Sequence, residues 1–403
     1  MGPPPGTEGR GKGDDPRWKI DTLLVHGADI PDLNAGSVVP PIYQTSTFHY
    51  PAEHSEVRPP GRVHLYTRLE NPTLSQAADL IRKAENAEMG RVYASGMGAL
   101  SAAILGSLRS GDEVVALEDL YGNTLTLLRD EVSRFGISVR WVPSDRSDQV
   151  EDMVTDQTRL LVVETPTNPT LRVHDLRAWS RAARKVGAHL LVDNTFATPV
   201  NQRPGDLGAH LVMHSATKYL GGHSDLLAGA LVGESRVLES LRVTSETLGA
   251  TLDPLAGYLL VRGMRTLALR IRRHNENGRA LREELEGHPK ILAVHYPGSH
   301  SEAEERLCRT QMSGRGGMIS LVLRGGSRQA HQLMSHLRLV HPASSLGGVE
   351  SLASIPAETS HRQLSPEERK RRGIEDGMVR LSLGIEDPAD LVEDFRNALR
   401  SMD

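Results

Sequence analysis

The stretch SATKYLGGHSD, residues 215–225, sets Lys218 among small hydroxyl residues and a glycine pair, directly after the apolar run LVMH. A lysine at the end of such a run is ordinarily a solvated charge, so its chemistry depends on its company. Asp193 closes a similar run, LLVD, and Ser215 and Thr217 flank the lysine. Upstream, VYASGMGAL at 92–100 places Gly96, Met97 and Gly98 at the start of a helix-like stretch. Free amides there, aided by the helix dipole, can hold a phosphate. An amine that condenses with a carbonyl, a carboxylate for a cationic nitrogen, and hydroxyls and amides for a phosphate make one chemically consistent group.

These residues need a scaffold that brings them to one edge. Short apolar runs recur at VVAL (114), VRWV (139), LLVVE (160), LLVD (190), LVMHS (211) and LAGALVG (227). Continuous β-branched runs of this length suit strands buried on both faces, and the intervening stretches suit crossover helices. The spacing predicts helices over 97–109, 123–135 and 175–186, the last opened by Asp175 and closed by Gly187. The result is an α/β domain with a mostly parallel sheet, in which ligands sit beyond the carboxyl ends of the strands. From about residue 256 the pattern changes to long charged helices and then to the strand-like runs MISLVLR at 318 and VRLSLGI at 379. That predicts a smaller α+β domain. Residues 362–377, dense in charge, read as a solvated loop with a short helix.

Composition narrows the function. The 403 residues carry 47 Lys and Arg against 51 Asp and Glu, a net charge of −4, which gives no basic footprint for nucleic acid. One cysteine, Cys308, allows neither an intrachain disulfide nor a cysteine-based zinc cluster, and it fits a cytoplasmic protein. No apolar run is long enough to span a membrane, and residues 1–17 have the Gly, Pro and charge content of a disordered segment.

The glycines at 96 and 98 form neither a dinucleotide fingerprint nor a P-loop. Joined with Asp193, Ser215, Thr217 and Lys218 they match the needs of pyridoxal 5'-phosphate. The lysine forms the Schiff base, the aspartate keeps the pyridine nitrogen protonated, and the hydroxyls and amides fix the phosphate.

The sequence resembles the cysteine/methionine-metabolism family of pyridoxal-phosphate enzymes, which includes cystathionine γ-synthase, cystathionine γ-lyase, methionine γ-lyase and homoserine-ester sulfhydrylases. The likeness runs from DTLLVHGADIP through SVVPPIYQTSTF, YTRLENPT, SGMGA, ETPTNPT, VDNTFATP, SATKYLGGHSD and SLGGVESL to VRLSLGIED. It implies the aspartate-aminotransferase-like fold (fold type I), with an arm at 18–65 contacting a neighbouring subunit, a large domain at 66–255 and a small domain at 256–403. It implies Lys218 as the cofactor lysine, Asp193 at the ring nitrogen, and Gly96, Met97, Ser215 and Thr217 at the phosphate. Tyr66 and Arg68 would reach the phosphate of a neighbouring subunit, making a homodimer with shared sites and, by family likeness, a homotetramer. Tyr121 would stack on the ring and move protons. Arg380, with Asn168 and Ser345, would bind the substrate carboxylate. The resemblance gives His214 and His223 no chemistry, and His223 with Asp225 would shape the loop.

Three positions depart from the family pattern. His210 replaces a common Asp, Asn123 replaces a cysteine or small residue, and Ser344 stands where the cystathionine enzymes carry glutamate. The expected activity is γ-elimination or γ-replacement on sulfur amino acids or activated homoserine, of cystathionine γ-lyase or γ-synthase type. Methionine γ-lyase and O-acylhomoserine sulfhydrylase are the alternatives within the class. A catalytically inactive, pyridoxal-phosphate-binding regulatory protein and a cofactor-free Schiff-base enzyme are those outside it.

Overall fold

Seven strands alternate with helices through the first half of the chain: β1 (Met89–Tyr93), β2 (Glu113–Leu117), β3 (Ser138–Val142), β4 (Thr158–Glu164), β5 (His189–Asp193), β6 (Leu211–His214) and β7 (Gly229–Gly233). The structure is a computed structural model that describes residues 18–29, 35–49 and 64–402; the expectation for residues 1–17 falls outside these. The strands form one sheet in the order β1-β7-β6-β5-β4-β2-β3. Strands β3, β2, β4, β5 and β6 are parallel, and β7 runs antiparallel to both β6 and β1. The apolar runs in β2, β4, β6 and β7 are buried, as strands covered by helices on both faces must be, whereas the edge strand β3 buries only Val142.

Register decides what meets at the rim. Glu164 on β4 pairs with Asp193 on β5, and Asp193 pairs with Met213 on β6. The carboxyl ends of three strands therefore lie side by side, and the segment holding Lys218 leaves from the same edge.

Local signals account for the helices. Leu176–Val186 starts where the Asp175 side chain accepts from the Arg177 amide, and it stops at Gly187 with φ +69°. The helix expected over 97–109 spans Gly96–Ser107. The one expected over 123–135 changes winding along its length, from α (Gly122–Thr126) through π (Leu127–Glu131) to 3₁₀ (Val132–Phe135). Leu125, Leu128 and Val132 all stay buried across these changes, so packing rather than regular periodicity sets the path.

The second sheet holds β8 (Ile291–His295), β9 (Met318–Leu323), β10 (His341–Pro342), β11 (Leu352–Ser354) and β12 (Met378–Ser382), in the order β10-β11-β12-β9-β8. All its pairings are antiparallel except β10 with β11. Helix Pro388–Ser401 covers it with Leu391, Phe395, Ala398 and Leu399. The helix Leu267–Leu285 links the two cores, for Ile271 packs in the first and Leu281 and Leu285 in the second. Residues 362–377 contain the short helix Pro366–Arg371, opened by a capping box between Ser365 and Glu368. The start of the expected arm, helix Ile20–His26, packs on its own chain: Leu24 is buried in the first core, and Asp21 and Asp29 pair with Arg272 and Arg265.

Candidate active site

A cavity of about 720 Å³ opens at the rim where β4, β5 and β6 end, and the second sheet closes it from the other side. Gly96, Met97, Tyr121, Asn168, Asp193, Ser215, Thr217, Lys218, Ser345 and Arg380 all line it. Ten of the twelve residues singled out from the sequence thus converge on one space. Tyr66 and Arg68 do not. Arg68 donates to the Glu246 carbonyl at 2.8 Å and lies over the Tyr66 ring, with Tyr66 44% exposed.

Close approach builds the end of the cavity at helix Gly96–Ser107. A Cβ on Gly96 would come within 2.9 Å of the Ser215 side chain, so only glycine lets the helix start meet β6. Ser95 caps that helix by accepting from the Gly98 amide at 3.1 Å, leaving the earlier amides free for an anion. The Ser215 amide donates to the Thr195 hydroxyl at 2.8 Å. Thr217 sits differently from the expectation: its hydroxyl bonds to both the carbonyl and the amide of Ala228. To donate to a phosphate it must exchange the Ala228 carbonyl for the ligand.

Lys218 Nζ donates to Ser345 Oγ at 2.7 Å. Burial, aided by the nearby Arg380 charge, lowers its pKa to about 8. The lysine segment is held from behind by Arg270, which donates to the Tyr219 carbonyl at 2.8 Å and the Gly263 carbonyl at 2.7 Å. Tyr219 itself is buried, edge-on to His274. The loop carrying Ser345 packs tightly here, since a Cβ on Gly347, at φ +78°, would lie 2.6 Å from the Tyr219 amide.

Arg380, on β12 and buried, donates to Asn168 Oδ1 at 2.9 Å and to the Ser345 carbonyl at 3.2 Å. Burial brings its pKa down to about 10, still well above neutral, so the guanidinium is charged.

Glu164 carries no role in the sequence reading, yet it organises this wall. One of its oxygens accepts from the Tyr121 amide at 2.7 Å and the other from the Asn168 amide at 2.9 Å. Burial, followed by the adjacent Asp193, raises its pKa well above the usual carboxylate range. Asn123 donates to the Tyr121 hydroxyl at 3.3 Å, which fixes the orientation of a ring that is 39% exposed. His210 accepts from the Leu190 amide at 2.9 Å, away from the cavity-lining residues.

The arrangement fits pyridoxal phosphate. A lysine with a lowered pKa, a helix start pressed on Ser215 and a carboxylate at the neighbouring strand end lie around one cavity large enough for cofactor and substrate together. Burial raises the Asp193 pKa, and the hydrogen bond donated by the Thr195 amide and the electrostatic effect of the His214 imidazole offset only part of that rise. A cationic ring nitrogen is the partner that such a carboxylate lacks.

Residues 21–400 match the model of the Cys/Met metabolism PLP-dependent enzymes. The chain is 42% identical to an L-methionine gamma-lyase of Pseudomonas putida, over 94% of this chain and 97% of that one. It is 40% identical to a cystathionine gamma-lyase of Bacillus subtilis (strain 168), over 95% and 100%. A crystal structure of cystathionine gamma synthase from Xanthomonas oryzae pv. oryzae, in complex with aminoacrylate and cysteine, superposes with a TM-score of 0.90 at 36% identity, covering 95% of this chain and 98% of that one. Matches of this length and level leave one conclusion: the chain belongs to the family of pyridoxal-phosphate enzymes of cysteine and methionine metabolism, which carry out γ-elimination or γ-replacement on sulfur amino acids.

Proposed function

We propose that the protein is an enzyme of cystathionine γ-lyase or γ-synthase type with a permissive distal pocket, one that also admits simpler γ-substituted substrates such as methionine. The observation that carries this reading is the pairing of the Lys218–Ser345 contact with the Arg380–Asn168 contact across a single cavity whose wall also presents neutral Ser344 and Asn123.

Arg380 takes the substrate carboxylate through the two parallel N–H groups of its guanidinium, and Asn168 holds those groups in place. Pyridoxal phosphate, when bound, draws off the negative charge left at Cα when its proton is removed. Lys218, its pKa near 8, is close to neutral pH and suited to taking that proton, and Ser345 directs its Nζ. Tyr121 is the acid that meets the group leaving from Cγ, its hydroxyl oriented by Asn123. Asp193 holds the ring nitrogen, and Gly96, Met97, Ser215 and Thr217 hold the phosphate.

The site is completed by a second copy of the chain. Tyr66 and Arg68 lie outside the Lys218 cavity of their own chain, and the apolar side chains Leu65, Tyr66 and Leu69 of the same segment are exposed. An exposed arginine held, among the described residues, only by a backbone carbonyl and a tyrosine ring, beside exposed apolar surface, is what a subunit contributing to its neighbour would show.

A substrate panel tests the activity: L-cystathionine, L-methionine and O-acyl homoserines, each alone, with cysteine and with sulfide, read out by mass spectrometry. The reading expects 2-oxobutanoate from cystathionine and from methionine. Turnover of acyl homoserines with sulfide but not with cysteine would replace it with a sulfhydrylase, and no turnover of any of them would favour a regulatory protein.

A further inference from the structure

Behind Asp193 lies a buried acid and base that the chemistry above leaves unused. Glu85 follows helix Pro72–Ala84 and is 1% exposed, and His214, the last residue of β6, is 0% exposed. Glu85 Oε1 contacts His214 Nε2 at 2.6 Å and also accepts from Asn194 Nδ2 at 2.8 Å. One oxygen therefore ties the residue just after Asp193 to the residue just before Ser215. Asn194 is further fixed by Gln202, whose side chain donates to Asn194 Oδ1 at 3.0 Å and whose carbonyl accepts from Asn194 Nδ2 at 2.9 Å.

Two atoms in this cluster stand apart. Glu85 Oε2 and His214 Nδ1 are both buried with no hydrogen-bond partner among the described residues. Leaving such atoms unpaired is costly, so the pair is a poor device for stability alone. Its effect on Asp193 supplies a reason to keep it. Burial and the neighbouring Glu164 both disfavour a second carboxylate charge at this rim, whereas the His214 imidazole favours the ionised form of Asp193.

We propose that Glu85 and His214 are positioning residues for the cofactor: Glu85 anchors the His214 ring and Asn194, and through them holds Asp193 in place and ionised against the ring nitrogen. The proposal rests on the assignment of Asp193 to that nitrogen. It gives a function to a glutamate that lies 129 positions from its histidine in the chain.

The test uses holoenzyme of E85Q and H214Q, with D193N alongside. Gln at 85 keeps the accepting oxygen and removes the charge; Gln at 214 keeps a donor for Glu85 and removes the imidazole. Circular dichroism, cofactor content, the position of the visible absorption band, kcat and KM are measured for each. Both variants are expected to keep the fold and a KM within about twofold. Their visible band is expected to move from its wild-type position, and kcat to fall by about tenfold, the factor that about 1.4 kcal/mol gives. A wild-type band and wild-type kcat in both variants would overturn the proposal, as would loss of fold in both, which would mark the pair as structural. If E85Q alone misfolds, H214Q decides by the same criteria. Unimpaired turnover in D193N would instead overturn the assignment of Asp193, and is thereby told apart from failure of the Glu85–His214 inference.

Discussion

Arg380 Nη1 and Asn168 Oδ1 meet at 2.9 Å although 212 positions separate them in the chain, one on the second sheet and the other in the loop after β4. The contact joins the two sheets where the proposed substrate carboxylate binds. Two consequences follow for the variant Arg380→Lys. A lysine cannot offer two parallel N–H groups, and the buried Asn168 oxygen would lose its partner. A charge-assisted contact is worth about 1.5–3 kcal/mol, so kcat/KM should fall by about 10–150-fold, mostly through KM. Steady-state kinetics of Arg380→Lys check this; an unchanged KM would place the carboxylate elsewhere.

The lowered pKa of Lys218 makes the stability of the apoprotein depend on pH. An unfolded lysine releases its proton near 10.4, whereas Lys218 in the folded chain does so near 8. Between these values the unfolded state binds more protons, so stability rises with pH across that window; below about 8 both states are protonated and the penalty is complete. Lys218→Met removes the titrating group. Its stability advantage over the wild-type apoprotein should shrink by on the order of 2 kcal/mol from pH 8 to 10.5, a figure discounted for partial exposure. Urea titrations of both apoproteins measure it, and parallel curves would mean that Lys218 is not desolvated.

The proposed sharing of sites between subunits predicts complementation. Arg68→Ala and Lys218→Ala chains should each be inactive alone, and mixed after mild dissociation they should recover about a quarter of the wild-type rate per total chain, or about half in purified hybrids, since one of the two composite sites in a hybrid dimer keeps both residues. Activity assays on the remixed chains read this directly. No recovery in hybrids verified by native mass spectrometry would place each site within one chain.

Ser344 lines the cavity and offers a neutral hydroxyl. A glutamate there would attract a distal ammonium, which cystathionine has and methionine lacks. Ser344→Glu is therefore expected to raise the kcat/KM ratio of cystathionine over methionine by about tenfold, equivalent to about 1.4 kcal/mol of differential binding. Competition between the two substrates in one reaction gives the ratio; no change would direct attention to Asn123, or to Arg362 from the same wall.

The parts of this site that could be read from the sequence are those that follow strand ends. Apolar runs marked β4, β5 and β6, and the residues just past them, Asp193, Ser215 and Lys218, fall on one rim because parallel strands end together. What the sequence hid was set by tertiary contact. Glu164 reads as the end of a strand, and nothing local reveals that its two oxygens will take the amides of Tyr121 and Asn168. Glu85 reads as a helix-terminal charge, yet packing carries it under β6 to His214. The Thr217 hydroxyl has the right position for a phosphate ligand, but its engagement with Ala228 depends on the return of the chain into β7. Arg270 lies in a helix dense in charge, where its turn inward to the lysine segment has no signal in composition.

The most direct test of the account is to fix the cofactor in place and find it. Borohydride reduction of the holoenzyme makes the attachment permanent, and peptide mass spectrometry then reports which of the seven lysines, at 12, 19, 83, 185, 218, 290 and 370, carries it. Lys218 is the one that lines the cavity with Asp193 and Arg380, and the account predicts the phosphopyridoxyl group on Lys218 alone. Its appearance on any other lysine, or a reduced protein with no modified peptide, would contradict the assignment on which the proposed chemistry depends.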